Sequence, residues 1–95
     1  MKLAWSNLSI QELREIRRYS IDRWGRDVAL RYLQDVRDAA KRAAEDPYAA
    51  RLLRGDLRIV RVRSHYLIVH VNESISTVTI ARLLHVAMDI ERHLP

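Results

Sequence analysis

The apolar residues of this chain keep one spacing before Asp46-Pro47 and another after Gly55, and that switch constrains the architecture more than any other feature. Ile10, Leu13, Ile16, Ser20 or Ile21, and Trp24 recur at helical intervals, with Glu12, Arg14, Glu15, Arg17 and Arg18 on the other faces. Ser9 with Glu12 three residues later reads as a capping box, so the spacing predicts a helix from Ser9. Gly25 suits its C-terminal cap, where left-handed geometry needs no side chain. A second helix follows from Arg26 or Asp27, with Ala29, Leu33, Val36, Ala40 and Ala43 at intervals of four and three. The short joint makes the pair an antiparallel hairpin, and the alanines permit close approach to a neighbour. Asp46-Pro47 ends it, because proline lacks an amide proton and forces the preceding residue out of helical geometry.

Beyond Gly55 the runs 57–63, 66–71 and 77–84 are rich in β-branched residues and are separated by Ser64-His65 and Asn72-Glu73-Ser74, which predicts three antiparallel strands. Tyr66-Leu67-Ile68-Val69 is apolar on both faces and belongs at the centre of a sheet. Alternation slips at Ile59-Val60, which suggests a bulge there. Lys2-Leu3-Ala4-Trp5 reads as a short first strand, and 88–94 has weak helical character. The expected fold is α+β, ordered β-α-α-β-β-β, with a helical hairpin on one face of a mainly antiparallel sheet. Ninety-five residues make one domain, 1–95, near the small end of what supports its own core.

Composition matters mainly for what it excludes. Without cysteine there is no disulfide, thiolate nucleophile or cysteine-based metal site. No run of about 18 apolar residues is present and Met1 to Ser6 lacks a secretory apolar region, so a cytoplasmic protein without a membrane partner is expected. The net charge of +5 is carried by arginine except at Lys2 and Lys41, which suits bidentate contact with phosphate or carboxylate.

Among groups that move protons near neutral pH, His65, His70, His85 and His93 lack metal-ligand spacing, so neither a metal nor another cofactor is expected. Cleavage of RNA would need a base, an acid and cations on the phosphorane; His65, Arg82 and His85, with Arg58, Arg61 and Arg63, could supply them if the sheet brings them together. The three strand arginines fit equally well a solvated face or a docking surface for a partner. Gly25 and Gly55 are the only glycines, which excludes a phosphate-binding glycine loop. A DNA-reading helix-turn-helix is disfavoured because the second helix is an apolar stripe.

Three stretches, taken in order, resemble the RelE/ParE toxin–antitoxin superfamily. The first is Leu8-Ser9 with Leu13, Ile16, Tyr19, Trp24-Gly25, Ala29 and Tyr32-Leu33; the second is Asp46-Pro47 with Leu57-Arg58 and 65–69. The third and most specific is Ile80-Ala81-Arg82-Leu83-Leu84-His85 with Met88-Asp89 and Arg92-His93-Leu94. Resemblance to the ParE branch implies a growth-arresting toxin without catalysis, which binds DNA gyrase and is held in a hetero-oligomer by a ParD-like antitoxin, through which alone it meets operator DNA. It implies Met88, Asp89 and Arg92 as target contacts. Leu13, Ile16, Tyr19, Trp24 and Tyr32 offer an apolar groove to an antitoxin segment, and Arg58, Arg61 and Arg63 offer it charge. The RelE branch would instead imply ribosome-dependent mRNA cleavage, with His65, Arg82 and His85 as catalysts. Two departures bear on that choice: no tyrosine follows Tyr66, and His70 stands where the third strand usually ends in tyrosine.

Overall fold

A computed structural model describes residues 1–94. In chain order its elements are β1 (Lys2–Trp5), α1 (Asn7–Trp24), α2 (Arg26–Glu45), a 3₁₀ turn (Pro47–Ala49), β2 (Arg51–Arg54), β3 (Leu57–Val62), β4 (His65–Asn72), β5 (Thr77–His85) and a second 3₁₀ turn (Ile90–His93). The strands form one sheet in the order β1-β5-β4-β3-β2. Among the described strands only the β1–β5 pair is parallel: the helical hairpin carries the chain from β1 across to β2 at the opposite edge, and the antiparallel run β2 to β5 then returns to β1. The expected α+β class and helical hairpin are present, and β4 is central.

Three local expectations need correction. The first helix starts at Asn7, with Ser6 as its cap: Ser6 Oγ accepts from the Ser9 amide at 3.0 Å and donates to the Ala81 carbonyl at 2.8 Å. One hydroxyl therefore ends β1 and starts α1 while stitching both to β5, and Glu12 is released from capping. The sheet has an additional strand, β2, which is only four residues long, contains no β-branched residue and forms a hairpin with β3 through Gly55, whose φ of +51° costs glycine nothing. Ile59 and Val60 pair regularly with Ile68 and Leu67; the slip lies instead at Ala81, between the Ile68–Arg82 and Val69–Ile80 pairs, and at Leu52–Arg54. The weak helical character expected over 88–94 is present but narrows to a 3₁₀ turn at Ile90–His93, which packs on the sheet.

The helix-side core joins Val36, Ala39, Ala40, Ala43 and Ala44 of α2 to Val62, Leu67, Val69, Val71, Val78, Ile80 and Leu83. Small residues on α2 bring its backbone close to the sheet, as the sequence implied. On the opposite face Leu57, Ile59, Ile68 and Leu84 are covered by Ile90 and Leu94, so the terminal turn supplies the cover that no second helix layer provides. Among the described residues no helix is long and apolar enough to cross a membrane.

Candidate functional site

Where β4 begins and β5 ends, register places His65 directly opposite His85, and α2 lays Tyr32 against them. The imidazole rings meet edge to face with centroids 5.3 Å apart. Tyr32 accepts a hydrogen bond from the Ser64 amide at 3.2 Å, so its own proton is free to go to His65 Nδ1, 2.6 Å away. His85 Nδ1 accepts from the Ala87 amide at 3.1 Å. An amide can only donate, so neutral His85 carries its proton on Nε2, and with Tyr32 as the donor to His65 Nδ1 neutral His65 has the same tautomer. Burial, then the facing His85, push the His65 pKa below its ordinary 6.5, against a weaker opposing pull from Glu12. At neutral pH His65 is therefore uncharged.

These histidines, His65 half-buried and His85 exposed, line a cavity of about 470 Å³ together with Glu15, Ile16, Tyr19, Arg23 and Trp24 of α1. Tyr19 and Trp24, near the end of α1, form an edge-to-face pair with centroids 5.8 Å apart, and both are more than half exposed. Soluble folds seldom leave a tryptophan and tyrosine paired in the open unless something covers them.

Arg82 and Glu12 lie beside the cavity but face inward. β1 ends at Trp5, opposite Ile80, and leaves the edge of β5 beyond it unpaired. Glu12 of α1 takes over that edge: its Oε1 accepts from the Leu83 amide at 3.0 Å while its Oε2 holds Arg82 Nη2 at 2.9 Å. Arg82 Nη1 donates to the His93 carbonyl at 2.9 Å, which ties the terminal turn to the same pair. Both side chains are less than one-fifth exposed. The sequence gives Glu12 to a cap; its structural role depends on a contact seventy residues away that no local pattern announces.

Arg58 and Arg61 of β3 do not converge on the histidines, and Arg63, in the turn after it, reaches only the far side of Tyr32. Arg58, opposite Val69 far along β4, donates to the Ala50 carbonyl at 2.8 Å and stacks 4.9 Å over Tyr48. Arg61 donates to the Arg63 carbonyl. Arg63, left-handed at φ +53°, is anchored by Asp35 at 2.7 Å and covers the Tyr32 ring at 5.6 Å. Of the apolar groove candidates, Ile16, Tyr19, Trp24 and Tyr32 border the cavity, whereas Leu13 belongs to a second depression with Leu3, Trp5, Ile10, Arg37 and Lys41. Met88, Asp89 and Arg92 lie on the exposed terminal segment, where Asp89 and Arg92 approach at 3.5 Å. His70 is distant from the pair, near Tyr48 and Arg58. Among the described residues no three His, Asp or Glu side chains gather as metal ligands.

The model of the ParE toxin of type II toxin–antitoxin systems, parDE, matches residues 3–90. The chain belongs to the ParE toxin family. Toxin ParE1 of Mycobacterium tuberculosis is 36% identical over 85 residues, covering 86% of each chain. Among solved structures, a chain of the chromosomal ParDE system from P. aeruginosa superposes with a TM-score of 0.78 at 18% identity, covering 90% of this chain and 96% of that one. The E. coli RelBE toxin–antitoxin complex matches with a TM-score of 0.63 at 16% identity, over 92% and 98%. The last two likenesses concern the fold alone. In this ParE-family chain that fold sets an imidazole pair and an open aromatic pair around one cavity, and turns the nearest strand arginine away from both.

Proposed function

We propose that this ParE-family toxin arrests growth in the cytoplasm by binding DNA gyrase, without cutting RNA, and that a ParD-like antitoxin neutralises it in a hetero-oligomer. The state of Arg82 speaks against the catalytic set nominated from the sequence, which leaves Arg23, at the cavity wall and without an ion pair among the described residues, as the guanidinium nearest to that role. A phosphorane needs a cation free to meet developing charge, and the guanidinium nominated for that role is already shared between Glu12 and the His93 carbonyl. The imidazoles add to the case: His85 keeps its Nδ1 on a backbone amide, and His65 keeps its own on Tyr32, so the arrangement favours two fixed donors over an acid–base pair.

Masking by an antitoxin is supported by what α1 leaves uncovered. Leu8, Ile10, Tyr19 and Trp24 are all exposed on α1, and Val28 and Leu30 are exposed on α2. An amphipathic partner segment would bury them. Target contact is assigned to Met88, Asp89 and Arg92, which project from the terminal turn while Ile90 and Leu94 hold it down. The test is gyrase-catalysed supercoiling of relaxed plasmid with the purified toxin, with and without its antitoxin. Inhibition relieved by the antitoxin is expected; intact supercoiling at several-fold toxin excess, together with ribosome-dependent mRNA cleavage lost in His65→Ala and His85→Ala, would transfer the toxin to the RelE mechanism.

A further inference from the structure

The ion pairs of this protein are distributed unevenly. Two helix carboxylates are taken by arginines of the sheet side: Glu12 by Arg82 and Asp35 by Arg63. The remaining pairs, Arg54–Glu91 and Arg92–Asp89, also lie outside the hairpin. Among the described residues, no arginine or lysine of α1 or α2 has an acidic partner at salt-bridge distance. Arg14, Arg17 and Arg18 are the densest group of these free cations. At helical separations of three and four they are surface neighbours, all exposed, and they border one depression of about 410 Å³ with Ile21 and Asp22. Asp22 is the single acid there and it forms no ion pair.

Like charges one turn apart weaken a helix, and these three have no packing role that would offset the cost. The chemistry they offer is recognition of anionic oxygens by planar forks. Two kinds of polyanion would fit the charge. An acidic amphipathic segment needs an apolar floor beneath it, and α1 places that floor elsewhere, with Ile10 and Leu13 in the depression shared by Leu3 and Trp5. The arginine patch has only Ile21. A phosphate backbone needs no apolar floor.

We propose that Arg14, Arg17 and Arg18 form a sequence-independent contact with the phosphate backbone of duplex DNA, made by the toxin itself. This goes beyond gyrase binding and beyond operator contact through an antitoxin. A toxin that grips a DNA-handling enzyme would thereby also hold the duplex beside it.

The experiment is fluorescence anisotropy of a labelled duplex without operator sequence, titrated with full-length toxin between about 50 and 200 mM salt. Arg14→Gln/Arg17→Gln/Arg18→Gln is compared with Arg31→Gln/Arg42→Gln/Arg51→Gln, which removes equal charge from other exposed sites, and circular dichroism checks that both fold. Wild type and the second variant should bind with a log-linear salt dependence. The first should lose at least roughly tenfold in affinity and show a salt slope shallower by about two to three, near one for each phosphate contact removed. Equal losses in the two variants would overturn the assignment, because bulk charge would then explain binding. So would no wild-type binding at the lowest salt, or wild-type DNA affinity in the first variant accompanied by loss of antitoxin binding, which would make the patch a protein dock. Neither gyrase nor antitoxin is present in the DNA titration, so its outcome stands apart from the supercoiling result.

Discussion

Helices α1 and α2 are close in length and lie side by side, yet they carry different shares of the fold. α2 buries eight side chains, six of them apolar residues no larger than valine, and sits directly on the sheet. α1 fully buries only Ser9 and Ser20. Leu13 and Ile16 reach the core only in part, and the rest of its apolar surface is open. What anchors α1 is polar: the Ser6 hydroxyl at its start and the Glu12 carboxylate one turn in, both fastened to β5. A helix held at one end by hydrogen bonds and otherwise lightly packed is suited to carry a partner's surface, whereas α2 is suited to hold the domain together.

The contrast can be broken first at α2. Leu33→Ala should cost about 2–5 kcal/mol, because a leucine 1% exposed leaves a cavity that close-packed neighbours cannot fill; urea denaturation would show it, and a loss under about 1 kcal/mol would mean that α2 is not the supporting helix. Next is Glu12→Gln, expected to cost about 2–3 kcal/mol by leaving Arg82 with an uncompensated, mostly buried charge. Its companion loss is faster exchange of the Leu83 amide, since that proton's acceptor weakens at the same time.

Tyr19→Ala/Trp24→Ala should sharpen the comparison from the other side. With both rings more than half exposed, stability should fall by only about 1 kcal/mol, while antitoxin affinity falls at least roughly tenfold by titration calorimetry. The smallest effect concerns pH. Folding holds the His65 pKa below 6.5, so as the medium acidifies the unfolded chain takes up this proton before the folded one does. The stabilisation by the neutral ring is whole above pH 6.5 and is lost progressively below it. His65→Asn should flatten the denaturation midpoint between about pH 5 and 7, and an unchanged profile would assign the acid sensitivity to other groups.

The sequence pattern carried most of the fold because periodicity and turn residues act locally: the hairpin joint at Gly25, the stop at Pro47 and the central placement of 66–69 all depend on neighbours in the chain. β2 escaped because Arg51–Arg54 lacks β-branched residues and becomes a strand only by pairing with β3. The bulge at Ala81 escaped because it is fixed across strands, where Ser6 binds the Ala81 carbonyl. In the site, the pairing of His65 with His85 could be suspected from their positions at strand ends. The parts played by Tyr32 and Glu12 could not, since each side chain acts on a strand far away in sequence and the local pattern at Glu12 pointed to a helix cap instead. Arg82 was legible as a residue of interest and illegible as one already occupied.

Amide hydrogen exchange on the free toxin and on its antitoxin complex tests the division between the two helices most directly. The account predicts that amides of 13–23 in α1 exchange well before those of 29–43 in α2 in the free protein, and that antitoxin slows α1 far more than α2. Equal protection of the two helices in the free protein, or protection by antitoxin confined to α2 and the sheet, would contradict it.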